Sequence, residues 1–235
     1  MMAPLKNSGA ENSMAESVVG AAAHIPVMAA EVVAALNPSP GKVYIDATFG
    51  AGGYSQAIMR AADCWVFGLD RDSGAIALGR EMAKSCNGRL TVIEGRFGDM
   101  VALLAANGIT KADGVALDLG VSSMQIDQSE RGFSFARDGA LDMRMGPSGD
   151  TAADLVNRLE EKELAQLIFE FGEERRARAV ARAIVRARSA APIERTGELA
   201  KIVASVVRRE PGLHPATRTF QALRIRVNEI GRAHV

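Results

Sequence analysis

Between Val43 and Asp70 the sequence reads as an apolar strand, a glycine turn, an amphipathic helix and a second apolar strand that ends in a carboxylate. The turn, Asp46-Ala-Thr-Phe-Gly50-Ala-Gly52-Gly53-Tyr54, follows directly on Val43-Tyr44-Ile45. A side chain at Gly50 or Gly52 would block close approach of the backbone to a ligand, so glycine is expected there. The next strand, Cys64-Trp65-Val66-Phe67-Gly68-Leu69, delivers Asp70 about 20 residues after the turn, the distance at which an acid meets ribose hydroxyls. These parts commit the chain to a parallel βαβ arrangement and point to a ligand containing adenosine.

A dinucleotide site uses Gly-x-Gly-x-x-Gly, which seats a pyrophosphate at a helix N-terminus. Here the pattern is Gly50-x-Gly52-Gly53, with no third glycine at Gln56 or Ala57. Asp46 stands at the strand end, where a carboxylate repels a pyrophosphate but suits the cationic sulfonium of S-adenosylmethionine. The methyl donor is therefore favoured over NAD or NADP.

The first part of the chain alternates strand and helix: strands are expected at 43–46, 64–69, 90–94 and 114–118, and helices near 53–62, 72–85 and 99–107. From Thr151 to Arg209 the periodicity is helical, through Leu155, Leu159, Leu164, Leu167 and Ile168 to Leu199, Ile202, Val203, Val206 and Val207. Asp118 to Pro147 is too long for an ordinary connection, and long loops at strand ends commonly carry the chemistry. Residues 1–23 have no long apolar core, fit neither a signal peptide nor a membrane span, and read as a disordered lead-in. Cys64 and Cys86 are isolated, with neither metal-ligand spacing nor a disulfide framework, so a reducing cytoplasm and no metal are expected.

The 28 basic and 28 acidic residues cancel over the whole chain but are unevenly placed. Up to Glu170 there are 14 Lys and Arg against 22 Asp and Glu; from Phe171 onward there are 14 against 6. Such a split suggests that the second half meets a polyanion. Arg175, Arg178, Arg182 and Arg186 form one stripe of a helix whose other side carries Ala179, Val180, Ala183 and Ile184. A solvated helix face explains the stripe equally well.

Several longer strings occur in one order: His24-Ile-Pro-Val-Met28, Asp46 to Gly53, Gly68-Leu-Asp-Arg-Asp72, Asp118-Leu-Gly-Val-Ser-Ser123, Arg131-Gly-Phe-Ser-Phe135, Leu141-Asp-Met-Arg-Met145 and His214-Pro-Ala-Thr-Arg-Thr-Phe-Gln-Ala-Leu-Arg224. From His24 to about Glu229 the chain resembles the bacterial small-subunit ribosomal RNA (cytosine-N4)-methyltransferase family. The resemblance implies an α/β fold, a Rossmann-like class I methyltransferase sheet with an inserted all-helical subdomain. It also implies methyl transfer from S-adenosylmethionine to the exocyclic amino group of a cytidine in 16S rRNA near the ribosomal P site, by a cytoplasmic monomer or homodimer acting on the small subunit. Residues 24–147 would then be the cofactor domain with an active-site loop at 118–147, residues 148–212 the RNA-contacting helical insertion, and residues 213–235 the start of a return to the sheet. The resemblance places Gly52, Gly53, Tyr54, Asp70, Phe97, Asp118 and Gln125 at the cofactor, although many relatives carry histidine where this chain has Tyr54.

A cytosine amino nitrogen has its lone pair delocalised into the ring, and it attacks a methyl group only when its N–H groups are drawn out of plane. The Asp118 carboxylate, or the carbonyls of Leu119 and Gly120, are the candidate acceptors. Methylation at carbon 5 would instead need a cysteine nucleophile, and neither cysteine lies in a suitable loop. Where many amino methyltransferases carry Asp-Pro-Pro-Tyr this chain has Asp118-Leu-Gly-Val, so the aromatic that stacks on the base must come from elsewhere. Phe133 and Phe135 are the candidates, with burial in the loop's own core as the other reading. Arg131, Arg137 and Arg144 have Asp127, Asp138 and Asp142 nearby to neutralise them. The arginine stripe, Arg218, Arg224 and Arg226 are better placed for the RNA backbone.

A sheet of this type ordinarily has seven strands, and only four can be counted before the helical insertion. The expectation is a truncated product, its last residues near Gly231–Val235 foreign to the family, with one sheet edge uncovered. Two other classes stay open: a nicotinamide-dependent oxidoreductase, and a non-catalytic RNA-binding module indifferent to S-adenosylmethionine.

Overall fold

The computed structural model describes residues 26–230. The expected lead-in at 1–23, His24 and the closing residues 231–235 lie outside the described residues. Four strands, β1 (Val43–Asp46), β2 (Trp65–Asp70), β3 (Leu90–Glu94) and β4 (Gly114–Ala116), form one parallel sheet in the order β3-β2-β1-β4. The helices α1 (Ala29–Leu36), α2 (Gly53–Ala61), α3 (Ser73–Lys84) and α4 (Met100–Ala106) accompany it. The chain moves outward from β1 to β3 and then returns to the other side of β1. The crevice at the C-terminal ends of β1 and β4 is thus a topological switch point, where open α/β sheets bind ligands.

Strand alternation sorts the core into two layers. Tyr44 and Val66 pack with Phe49, Ile58, Met59 and Leu90 on the face covered by α2 and α3. Ile45 and Leu69 pack with Ile93, Leu104 and half-buried Phe67 on the face covered by α4. Expected and observed strands agree within a residue except at β4, which ends at Ala116 because Leu117 and Asp118 leave the ladder. β4 is a sheet edge among the described residues, and Val115, Leu117 and Leu119 are exposed there.

The second unit is helical: α6 (Ala152–Arg158), α7 (Glu161–Gly172), α8 (Ala177–Arg188), α9 (Thr196–Ala204) and α10 (Thr217–Asn228) share one core. Leu159 sits at the break between α6 and α7. The segment expected to begin a return to the sheet packs most of its length elsewhere: Ala216, Phe220, Ala222 and Leu223 of α10 and its approach are buried in the helical core, and only its end, at Asn228 and Glu229, meets the turns after β2 and β3. An amphipathic helix reads the same whichever surface it covers, so periodicity could not separate the two. The long loop after β4 is ordered by α5 (Ser123–Asp127) and a short 3-10 turn, and its far end is sewn into the helical unit through Leu141 and Met143.

Phe49 explains three glycines, among them Gly52, expected from the sequence to serve a ligand. A Cβ on Gly52 would lie 2.7 Å from the Phe49 ring and 2.8 Å from Met82, and one on Gly79 2.7 Å from the ring; one on Gly68 would overlap it outright. Gly52 also has φ +76°, a left-handed conformation that only glycine adopts freely. Gly68→Ala is expected to destabilise the chain by roughly 2–4 kcal/mol, as a methyl group forced against a buried ring. Urea denaturation checks this by a lower midpoint at unchanged slope.

Candidate active site

A cavity of about 680 Å³ opens at the switch point, within the usual range for small-molecule sites. The turn after β1 contributes Thr48, Gly50, Gly53 and Tyr54; β2 ends in Asp70 and the 3-10 turn after β3 supplies Phe97; the loop after β4 supplies Asp118 to Gln125. Of the cofactor residues expected from the sequence, Gly53, Tyr54, Asp70, Phe97, Asp118 and Gln125 are brought together here. Gly52 is not: it faces Phe49 and Met82, so its need for glycine comes from packing rather than from a ligand.

Each carboxylate has its own environment. Asp70 accepts the Gly50 amide on Oδ2 at 2.8 Å and the Asp72 amide on Oδ1 at 2.9 Å, which fixes the glycine turn against the end of β2. Burial pushes its pKa up, and these amides offset only part of that. Asp118 is exposed at the cavity, its own amide donating to Thr48 Oγ1 at 2.8 Å. The Tyr54 hydroxyl donates to the Val27 carbonyl at 2.6 Å and lies 3.3 Å from Asp118 Oδ2. Burial, then the Asp118 charge, raises the Tyr54 pKa and keeps the phenol protonated.

Asp46 does not line the cavity. It is fully buried beneath the turn, where Oδ2 accepts the Ser55 amide at 3.1 Å and the Ser55 hydroxyl at 2.7 Å, while Oδ1 has no hydrogen-bond partner. Burial drives its pKa up to about 6, and the Ser55 bonds offset only part of this.

Residues that the sequence did not single out complete the site. Pro26 lies against Gly53, whose Cβ would come within 2.9 Å of the proline ring, and Val27 anchors Tyr54. From the helical unit the end of α10 reaches the cavity: Arg71 Nη1 donates to the Asn228 carbonyl at 2.6 Å, and Arg96 pairs with Glu229 at 2.9 Å. Asn228 donates from Nδ2 to the Met143 carbonyl and accepts the Met145 amide on Oδ1. The spacing of α10 gives no sign that its last turn closes a pocket on the other unit.

The aromatic and basic candidates divide. Phe133 is wholly buried with the Arg131 guanidinium 5.3 Å from its ring centroid, so the base-stacking role expected of it is not open to it in this structure. Phe135 is half-buried between His214 and Phe220, at centroid distances of 4.5 and 4.8 Å. Arg178, Arg182 and Arg186 are exposed on α8 and Arg175 on the turn before it; Arg182 faces Glu161 at 3.7 Å. Arg218 is paired with Glu210 at 3.1 Å. Arg224 points inward: its Nη1 donates to the Phe133 carbonyl at 2.8 Å and its burial lowers its pKa. Among the described residues no His, Cys, Asp and Glu cluster could hold a metal, and no helix is long and apolar enough to cross a membrane.

Asp46 carries a pH signature. A carboxyl whose pKa is higher in the folded state than its ordinary 3.8 holds its proton more tightly there, so its contribution is complete below 3.8 and is lost as pH rises through about 6. Asp46→Asn should therefore gain on the parent by roughly 2–3 kcal/mol between pH 4 and pH 7.5. Urea unfolding at the two pH values measures the difference.

The sequence matches the model of the MraW methylase family over residues 21–233. It is 60% identical over 211 residues to "Ribosomal RNA small subunit methyltransferase H" of Parvibaculum lavamentivorans, covering 89% of this chain and 62% of that protein. The proteins of the same name from Paramagnetospirillum magneticum and Xanthobacter autotrophicus are 59% and 56% identical, over 88% and 92% of this chain and 65% and 63% of their own lengths. The chain thus spans less than two thirds of the length of these curated relatives. Matched along nearly all of its own length, with a glycine turn, a strand-end acid and an acidic cavity set at the sheet's switch point, it belongs to the MraW methylase family.

Proposed function

We propose that this chain carries the cofactor pocket of an enzyme that methylates the N4 amino group of a cytidine in 16S rRNA near the ribosomal P site, using S-adenosylmethionine, in the bacterial cytoplasm. The observation that carries the reading is the charge of the cavity. Asp70, Asp99, Asp118 and Glu229 line it against Arg71 and Arg96, and those two arginines already serve Asn228 and Glu229. A pyrophosphate would meet an acidic wall, whereas a sulfonium is attracted to it. The orphaned Oδ1 of Asp46 below the turn adds to the same preference. The names of the relatives support small-subunit ribosomal RNA as the substrate.

The residues present fit such a cofactor. Asp70 would hold the ribose hydroxyls, Phe97 would lie by the adenine, and Gly53 with Tyr54 would border the amino-acid end beside Asp118 and Gln125. Bound S-adenosylmethionine supplies an electrophilic methyl group. Asp118 accepts a hydrogen bond from the cytosine amino group, which frees the nitrogen lone pair from the ring, and it is placed to take the proton that the product amine sheds. For the RNA, Arg175, Arg178 and Arg186 offer exposed guanidiniums that make no ion pair among the described residues.

Calorimetric titration is expected to show binding of S-adenosylmethionine but not of NAD or NADP, and Asp70→Ala should weaken it by about 30-fold or more, the loss of charge-assisted hydrogen bonds in a partly buried site. Binding of NAD instead would make the protein an oxidoreductase. Replacing Arg178 and Arg186 with Gln should lower small-subunit RNA affinity and reduce the slope of log K against log salt by about 1–2, leaving cofactor binding intact. An unchanged slope would remove α8 from the RNA interface.

A further inference from the structure

We propose that Asp72 is a positioning residue for methyl transfer: one of its carboxylate oxygens binds two side chains of the active-site loop, Gln125 and Arg131, to the turn that carries Asp70, and through Arg131 it reaches the loop's far end. The proposal rests on the methyltransferase reading above. Asp72 is 2% exposed and caps α3, accepting the Gly74 amide on Oδ1 at 2.9 Å. Its Oδ2 accepts Gln125 Nε2 at 2.7 Å and Arg131 Nη2 at 2.7 Å. Its own amide donates to Asp70 Oδ1.

The two partners belong to different stretches of the loop. Gln125 lines the cavity, and its Oε1 accepts the Ser122 amide at 2.9 Å, so its amide has one orientation and holds the stretch beginning at Asp118. Arg131 donates to the carbonyls of Arg144 and Met145, and its own carbonyl accepts the Met143 amide at 2.9 Å. Met145 returns to the cavity wall. Asp118 itself is held from outside its loop, by Thr48 at its amide and with Tyr54 beside its carboxylate. The chain that follows it, and with it the wall against which the target amine would be set, is held by Asp72 through Gln125 and Arg131.

Hydrogen-bond polarity makes the idea testable. Asn at position 72 keeps volume and capping ability, but whichever way its amide turns it loses either the Gly74 cap or the two donors from Gln125 and Arg131. Exchanging polarity repairs the Gln125 half of this loss: in Asp72→Asn/Gln125→Glu the amide donates to the carboxylate and Ser122 keeps its acceptor, while the direct bond from Arg131 stays broken and only a negative charge on the same group of side chains is retained.

The test compares Asp72→Asn and the double variant Asp72→Asn/Gln125→Glu with the full-length parent protein. Asp72→Asn should hold the S-adenosylmethionine dissociation constant within about 3-fold while kcat on small subunits falls about 100-fold, the scale of an ångström of misplacement. The double variant should recover at least about ten-fold of that loss, and amide exchange across residues 118–131 should quicken in the single variant and slow again in the double. Parental kcat in Asp72→Asn overturns the proposal. So does a joint fall of kcat and cofactor affinity with no recovery in the double variant, which is the behaviour of a purely structural residue. If Asp72→Asn does not fold, Arg131→Lys, which keeps the charge and loses the fork to the loop carbonyls, should lower kcat at an unchanged cofactor constant; parental kcat there overturns the proposal too. A parent that methylates no small subunits refutes the methyltransferase reading, and the exchange data then decide separately whether Asp72 orders the loop.

Discussion

The site hangs on the ring of Phe49. It is a large side chain placed in the glycine turn itself, and it is buried because Gly52, Gly68 and Gly79 leave the room for it. Its amide donates to the Leu69 carbonyl and its carbonyl accepts the Gly52 amide, so the turn is tied to β2 and to the start of α2 by the residue that fills the space between them. With α2 and α3 drawn onto the sheet in this way, Gly50 presents its amide to Asp70, and Asp70 is fixed where a ribose would be read. Interiors are too densely packed to move one of these pieces alone.

The second constraint is that the cavity has walls from two units. The sheet and its turns make one side; Met145 and the end of α10 make the other. What joins them is polar: Asp72 with Arg131, Arg71 with the Asn228 carbonyl and Arg96 with Glu229, while Asn228 fastens Met143 and Met145 to the end of α10. Buried charge is tolerated only when nearly every lone pair and proton is used, and that condition makes such joints selective for one docking geometry. Burial alone would push the Asp72 pKa up, yet the bonds from Arg131 and Gln125 and the Arg131 charge outweigh it and hold the carboxyl below its usual range. The helical unit is therefore part of the pocket as much as of any RNA surface.

Much of the fold could be read from the chain because it is local. Period-two apolar runs place β1 to β3, and the glycine turn with its following acid places the crevice. What escaped was set by partners distant in sequence. Gly52 reads as a ligand cradle because its neighbours are glycines, but Met82, thirty residues on, is one of the groups that demands it. Arg224 lies in a basic run and reads as an RNA contact; a carbonyl ninety-one positions earlier turns it inward. For Phe133 the sequence leaves base stacking and burial both open, and the structure buries it with the Arg131 guanidinium by its ring. Asp72 reads as an ordinary helix cap, and nothing local announces that Gln125 and Arg131 converge on its second oxygen. Asp70 is read locally, from the strand that ends in it, whereas Tyr54 and Asp118 enter through the resemblance; the structure brings all three to the cavity.

The balance of carboxylates against donors is what the proposed cation and amine would meet in the cavity. Tyr54 has one proton for two acceptors, and the shorter bond to Val27 takes it, at 2.6 Å against 3.3 Å. Asp118 therefore keeps lone pairs for an incoming N–H instead of spending them within the protein. Asp46, beneath the turn, is costly when ionised, because burial raises its pKa and one oxygen has no partner. A positive charge arriving in the cavity favours the ionised form of Asp70 and of Asp46 beneath it. A second anion would do the reverse, adding repulsion to a group already strained toward protonation. Asp46 and Asp70, whose burial makes their ionisation costly to the empty fold, would on the proposed reading favour a sulfonium over a pyrophosphate, so stability given up in the strand-end layer would reappear as selectivity in the cavity.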